Sequence, residues 1–266
     1  MQHYKTETAS LWQSCPDSVQ ITAYVPTKKR ADCAIVILPG GAYYFRAEHE
    51  GKGYAEFFAE KGILSFVVDY RCRTHRFPIP LMDARRGIQY VRYHAKKHGI
   101  DPQKIAIMGS SAGGHLAALT ATCCESYPPV ISDEIDSVSY LPNAQILCYP
   151  VIRLFGKGIT HEDSAHNLLG DHCDELAESL SPDLIATEEA PQAFIWHTFE
   201  DSAVNVLNSL YYAQALKRCH VPTELHVFPR GYHGLGLAKG EDAVSRHVCI
   251  WSDLLLRWLE LIGFIS

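Results

Sequence analysis

The 266-residue chain is 47% hydrophobic and 20% charged, a composition that builds a large core and excludes disordered and fibrous classes. Its 24 basic and 30 acidic residues are interspersed, with a net charge of −6, so no polycation is available for nucleic acid. No window reaches the roughly 18 apolar residues of a membrane span, and the start Met1-Gln2-His3-Tyr4-Lys5 lacks the apolar run of a signal peptide.

A cytoplasmic protein with no membrane partner is therefore expected, forming one domain over residues 1–266. The nine cysteines, among them Cys33, Cys123, Cys124, Cys148 and Cys249, read as buried reduced thiols. Cys123 and Cys124 are adjacent rather than in a C-x-x-C spacing, so neither a zinc knuckle nor a redox pair is indicated.

In chain order, strands are predicted at Val19–Val25, Ala34–Leu38, Leu64–Val68, Ile105–Met108, Ala144–Tyr149, Phe194–His197 and Glu224–Phe228, all short and rich in apolar residues. Between them, helical spacing runs over Gly53–Lys61, Ile79–His98, Gly113–Cys123, Val204–Cys219 and Ala243–Leu261. In the second of these, Leu81, Ile88, Val91 and Ala95 make the apolar face, with Arg85, Arg86, Arg92 and Lys96 elsewhere; Gly99 ends it. The alternation predicts a mostly parallel sheet of about eight strands with helices on both faces. Residues 152–191 break the rhythm, rich in His, Asp, Glu and Ser, and read as a lid-like insertion over the carboxyl edge of the sheet.

The strongest local signal is Gly109-Ser110-Ser111-Ala112-Gly113, a G-x-S-x-G directly after the strand Ile105–Met108 and before an apolar helix. Small residues on both sides allow a strained strand-to-helix turn that lifts the central Ser111 above the sheet. Ser110 occupies the x position and is expected to point away.

A serine hydroxyl needs a base within hydrogen-bond reach, usually a histidine held by a carboxylate. In elbow-type hydrolases the acid and then the histidine follow later strands. Asp201 follows the strand ending at His197, and His233 lies between Gly231 and Gly234 after the strand ending at Phe228. Glu200 is the alternative acid. Asp201 is preferred because Ala203-Val204-Asn205 looks like a helix start that it would support. His115, just past the elbow, is expected to pack along the helix or line the pocket.

The oxyanion donors are assigned to the backbone N–H groups of Gly41, Ala42 and Ala112, because Pro39-Gly40-Gly41-Ala42 follows a strand and its glycines allow close backbone approach. Tyr43, Tyr44 and Tyr149 are candidates for an aromatic pocket wall. No metal is expected. His94 and His98 lie four apart but lack the glutamate of a metalloprotease helix and read as solvated; His161, His166, His172 and Cys173 would bind metal only if the fold gathered them. No phosphate loop or dinucleotide fingerprint is present, and no cofactor is expected.

Four stretches, Leu38-Pro39-Gly40-Gly41-Ala42-Tyr43, Asp69-Tyr70-Arg71, Gly109 to Leu116, and Trp196-His197 through Asp201 with Gly231-Tyr232-His233-Gly234, carry a family resemblance. The chain resembles the acetyl esterase and feruloyl esterase-like α/β-hydrolases, including xylan esterase-like and xylanase-associated proteins, over residues 20 to 262. The resemblance implies an α/β-hydrolase fold and a serine carboxylesterase acting on short acyl esters such as acetyl groups on sugars or xylo-oligosaccharides. It also implies Ser111, Asp201 and His233 as the triad. The family's turn often carries three glycines, whereas here Ala42 holds the third place. The Ser-Ala-Gly-Gly-His stretch is also similar to arylformamidases, and a non-catalytic small-ligand binder of the same fold is a further alternative. The expected partner is a small ester, with a homo-oligomer a further possibility.

Overall fold

The structure is a computed structural model that describes residues 3–12, 19–125, 127 and 133–266. Met1 and Gln2 of the N-terminal stretch, and Cys15 among the nine cysteines, lie outside them. One sheet of eight strands runs in the order β1-β2-β4-β3-β5-β6-β7-β8, with β1 Tyr4–Ser10, β2 Gln20–Pro26, β3 Ala34–Leu38, β4 Leu64–Val68, β5 Ile105–Ser110, β6 Ala144–Cys148, β7 Ala193–Thr198 and β8 Thr223–Phe228. β1 and β2 pair antiparallel to their neighbours, and all later pairs are parallel.

The inner strands β3 to β7 are almost wholly buried, which explains their mainly apolar runs, whereas β8, at the opposite edge from β1, is half-buried. Successive side chains divide between two cores, as the two-residue strand repeat requires. Ala34, Val36 and Leu38 of β3 join one, whereas Ile35 and Ile37 join the other; Ile195 and Trp196 of β7 divide the same way. The first core also takes Leu81 and Ile88 of α2 (Ile79–Tyr93), Leu116 of α4 (Ala112–Thr122) and, beyond the short helices α5 (Glu162–Leu169), α6 (Cys173–Leu176) and α7 (Pro182–Ile185), Leu216 of α8 (Leu207–Arg218). The second takes Tyr54 and Phe58 of α1 (Glu48–Glu60), and Trp251 and Leu255 of α10 (Trp251–Leu261).

Four expectations are corrected. β1 is an additional strand whose polar, half-exposed sequence Tyr4-Lys5-Thr6-Glu7-Thr8 lacks an apolar run because it lies at the sheet edge. α1 begins at Glu48 rather than Gly53; acidic Glu48 and Glu50 favour its N-terminus, although Gly51 and Gly53 weaken the helical pattern in the sequence. The Ile79–His98 stretch divides at His94 into α2 and α3 (Ala95–His98). Ala243–Leu261 divides into α9 (Ala243–Val248) and α10, through Cys249 and Ile250 with tight 3₁₀-like dihedrals.

Arg85 and Arg86 are not on a solvated face. Both are buried; Arg86 pairs with Asp133 and, at 2.9 Å, with Asp136, while its guanidinium lies 4.9 Å from the Trp12 ring. Gly99 ends α3 in the left-handed conformation at φ 61°. Of the described cysteines, all free, Cys33, Cys72, Cys123 and Cys148 are buried, Cys124 is exposed, and Cys173, Cys219 and Cys249 are half-buried. Among the described residues no helix is long and apolar enough to cross a membrane.

Candidate active site

The parallel register places the ends of β3, β5, β7 and β8 along one edge: Leu38 pairs with Gly109, Ser110 with Cys148 and Thr198 with Phe228. Loops from these four ends converge there. Ser111 leaves β5 at φ 53° and ψ −123°, a strained conformation that costs about 1–3 kcal/mol for a non-glycine residue. It is held by Ser111 N–H donating to Cys148 O at 3.0 Å and by Val151 N–H donating to Ser111 O at 3.0 Å. The flanking glycines are sterically required: a Cβ on Gly109 would stand 2.0 Å from Gly113 O, and one on Gly113 would stand 2.1 Å from Leu38 O.

Ser111 Oγ lies 2.8 Å from His233 Nε2, and His233 Nδ1 lies 2.7 Å from Asp201 Oδ2. Exposure is graded along this chain: the Asp201 side chain is 1% exposed and that of His233 is 21% exposed. Asp201 Oδ1 also accepts the N–H groups of Ala203 and Val204, at 3.0 and 2.9 Å. Burial alone pushes its carboxyl up, but hydrogen bonds from His197 and His233 outweigh this and hold it well below the usual carboxylate range. The acid is thus ionised and aimed at the imidazole.

Glu200, the alternative acid, is exposed, and the His233 contact is made by Asp201 instead. α8 starts at Leu207, so Asp201 braces the turn before the helix rather than capping it. Ser110 is buried, with its Oγ 3.0 Å from Tyr54 Oη.

The turn after β3 runs beside the serine: a Cβ on Gly40 would stand 3.0 Å from Ser111 Cβ. Gly41 has φ 128° and Ala42 φ 54°, both in the left-handed region. At Ala42 this is where a glycine would sit without strain. Asn167 Nδ2 donates to Ala42 O at 2.9 Å and holds the turn. The N–H groups of Gly41, Ala42 and Ala112 have no hydrogen-bond partner among the described residues.

Two of the three tyrosines leave the pocket wall. Tyr43 is wholly buried, donating or accepting at His115 Nδ1 at 2.7 Å. Tyr149 is also buried, with its ring 5.1 Å from that of His233 in edge contact. They pack against His115 and His233 instead, and of the three Tyr44 alone is exposed. His115 is fully buried; its desolvation pushes the imidazole down to about 4, against the bond to Leu180 O.

His161, His166, His172 and Cys173 are not gathered into a group of three or more that could hold a metal ion, nor is any other such group present among the described residues. His94 and His98 are half-buried rather than solvated, His94 against Tyr90 and His98 edge-on to Phe66. His161 caps the helix Glu162–Leu169, with Ser164 N–H donating to its Nδ1 at 3.3 Å.

Sequence reasoning missed Glu50 and His197. Glu50 is 3% exposed; Oε2 accepts Gly40 N–H at 2.8 Å and Oε1 accepts Tyr149 O–H at 2.7 Å. His197 Nε2 lies 3.0 Å from Val204 O and 3.3 Å from Asp201 Oδ2, a second support for the acid.

This sheet order, with a serine on a strained turn after β5 and an acid and histidine after β7 and β8, is the α/β-hydrolase fold. More narrowly, the chain belongs to the BD-FAE family, whose pattern matches residues 21–216. It is 38% identical over 217 residues to endo-1,4-beta-xylanase B of Butyrivibrio fibrisolvens, covering 80% of this chain and 34% of that protein. It is 29% identical over 260 residues to the acetylxylan esterase of Xylanibacter ruminicola, covering 94% of this chain and 51% of the relative. The chain therefore spans about a third to a half of the length of these relatives. Among solved structures, the acetyl ester-xyloside bifunctional hydrolase from Caldicellulosiruptor lactoaceticus superposes with a TM-score of 0.88 at 39% identity, covering 98% of this chain and 97% of that one.

Proposed function

We propose that this chain is a serine carboxylesterase that hydrolyses short acyl esters, acetyl esters of sugars or xylo-oligosaccharides foremost, through an acyl-enzyme. The observation that carries this reading is the unbroken chain Ser111 Oγ, His233 and Asp201, with contacts of 2.8 and 2.7 Å, beside a turn with unpartnered N–H groups. In the first step His233 Nε2 takes the Ser111 proton as Oγ attacks the ester carbonyl. Asp201 stabilises the imidazolium, and the N–H groups of Gly41, Ala42 and Ala112 receive the oxyanion. His233 then protonates the departing alcohol. Water, deprotonated by the same nitrogen, cleaves the acyl-enzyme and releases the acid.

The acetyl and xylose preferences draw on the relatives' names. Residues 152–191 act in this reading as a fixed wall of the site within a single domain. Support comes from Asn167 on Ala42 O, Leu180 O on His115, and Asn205 and Asn208 Nδ2 donating to Gly158 O and Ile159 O. The free cysteines support a reducing, cytoplasmic location.

Hydrolysis of p-nitrophenyl acetate by the wild type and by Ser111→Ala tests the reading. Loss of about a thousandfold or more in kcat is expected, and unchanged turnover in the variant would overturn it.

A further inference from the structure

A cleft of about 740 Å³ opens beside the catalytic turn, lined in part by Pro39, Tyr44, Phe45 and Ala47 but not by Ser111 or His233. Tyr44 and Phe45 are 50% and 57% exposed. Two adjacent aromatic rings left half in water within one concavity differ from scattered surface apolar residues, which need no explanation. Their main chain is also pinned. Tyr44 N–H and Phe45 N–H both donate to Gly41 O, at 2.8 and 3.1 Å, and Ala47 N–H donates to Gly40 O at 3.0 Å. The same backbone that offers the oxyanion donors therefore fixes the main chain that carries the aromatic pair.

The charges of the cleft largely neutralise one another. Arg46 pairs with Asp69 at 3.6 Å, Lys52 with Glu48 at 3.6 Å and Arg71 with Asp83 at 2.8 Å. The Arg73 guanidinium lies 5.1 Å from the centre of the Tyr44 ring. These pairings leave Arg73 as the one formal positive charge among the lining Lys, Arg, Asp and Glu side chains, and at an exposed position its field is largely screened, a weak basis for holding an anion such as phosphate. An acyl chain would want the mainly apolar lining of ordinary small-molecule sites, and the polar side chains here do not provide it. Aromatic faces combined with exposed hydrogen-bonding side chains instead suit a neutral polyhydroxylated ring, whose C–H face stacks while its hydroxyls meet polar groups.

We infer that this cleft binds the neutral sugar rings adjoining the one that carries the acyl group; the inference rests on the esterase reading above. Tyr44 and Phe45 form the stacking platform, and Arg73 and Thr74 meet hydroxyls. Pre-organisation by the Gly41 hydrogen bonds limits the ordering cost of binding.

The test separates binding from turnover. Unacetylated xylohexaose, which holds no ester, is titrated into the Ser111→Ala protein by calorimetry, with and without Tyr44→Ala and Phe45→Ala together. Saturable binding that weakens at least tenfold in the aromatic variant is expected. In the otherwise wild-type protein, the ratio of kcat/KM for acetylated xylo-oligosaccharide to that for p-nitrophenyl acetate should also fall at least tenfold. Arg73→Gln, at an exposed side chain, provides a second variant if the double one fails to fold, and should lower the same ratio. Absence of xylohexaose binding while p-nitrophenyl acetate is hydrolysed by the wild type, or binding that none of the variants changes, overturns the cleft assignment and leaves the esterase reading intact. Failure of the wild type on every ester overturns the esterase reading instead.

Discussion

Gly40 N–H donates to Glu50 Oε2 at 2.8 Å, so a buried carboxylate on α1 holds the turn that borders Ser111. The other oxygen, Oε1, accepts Tyr149 O–H at 2.7 Å, and Tyr149 Oη accepts Gly236 N–H at 2.9 Å. One carboxylate thereby ties the turn after β3 to the loop that carries His233. Leaving such buried donors without an acceptor costs about 1–3 kcal/mol each. Glu50→Ala is therefore expected to lower kcat on p-nitrophenyl acetate by roughly tenfold to a hundredfold, with Tyr149→Phe, which cuts only the second tie, giving a smaller loss. Steady-state kinetics on both variants checks the order, and an unchanged kcat in Glu50→Ala would remove Glu50 from any role in positioning the site.

Asp201 does more than orient His233, because it also accepts Ala203 N–H and Val204 N–H and lies 3.3 Å from His197 Nε2. Asn in its place keeps the shape but loses the charge that stabilises an imidazolium. Asp201→Asn should lose on the order of 10²–10⁴ in kcat. Its carboxyl is held below the ordinary value of about 3.9. The stability it contributes is thus fully present above about pH 4 and is lost as pH falls through the lowered folded value. Denaturant unfolding of wild type and variant between pH 3 and 7 should show their difference shrinking only at the acid end.

The fold was legible to a large extent because a parallel sheet buried on both faces leaves apolar runs in the sequence. Ala34–Leu38 and Leu64–Val68 coincide with β3 and β4 for that reason. The elbow and the two later loops were legible because each follows a strand end, and a common strand direction brings those ends to one edge. Glu50 was not legible: in Glu48-His49-Glu50-Gly51 it looks like any solvated acid, and only the long-range fold brings Gly40 and Tyr149 to it. The tyrosines were misplaced for a related reason. An aromatic residue next to a catalytic turn has the same sequence signature whether it lines a pocket or, like Tyr43, fills the space beneath it.

His115 links the serine helix to the 152–191 segment, with Nδ1 2.7 Å from Tyr43 Oη and Nε2 2.8 Å from Leu180 O. The neutral tautomer with hydrogen on Nε2 satisfies both contacts. Burial lowers its value from 6.5 to about 4, so the unfolded chain takes up a proton before the folded one as pH falls. Stability is then full above the unfolded value and is lost as pH falls between 6.5 and 4, by about 3 kcal/mol at most. Unfolding free energies measured across that window should decline with acid in the wild type and decline less in His115→Gln; equal slopes would mean that the site does not keep the imidazole neutral.

Two glycines of helices make opposite demands and test whether the elbow is sterically closed. At Gly113 an added Cβ would stand 2.1 Å from Leu38 O and 2.5 Å from Pro39 O, both backbone atoms of the strand and turn beside Ser111. Neither can move without displacing β3 or the turn that follows it, so Gly113→Ala should destabilise by about 3 kcal/mol, as overpacking does, and suppress activity with it. At Gly53, in α1, nothing lies within 4 Å of the added atom. Alanine there gains helix propensity and should stabilise by about 0.8–1 kcal/mol. Paired denaturation curves decide the matter. A Gly113→Ala protein as stable as the wild type would show that the elbow tolerates a side chain at this contact, and the close approach of α4 to β3 would then not explain the glycine.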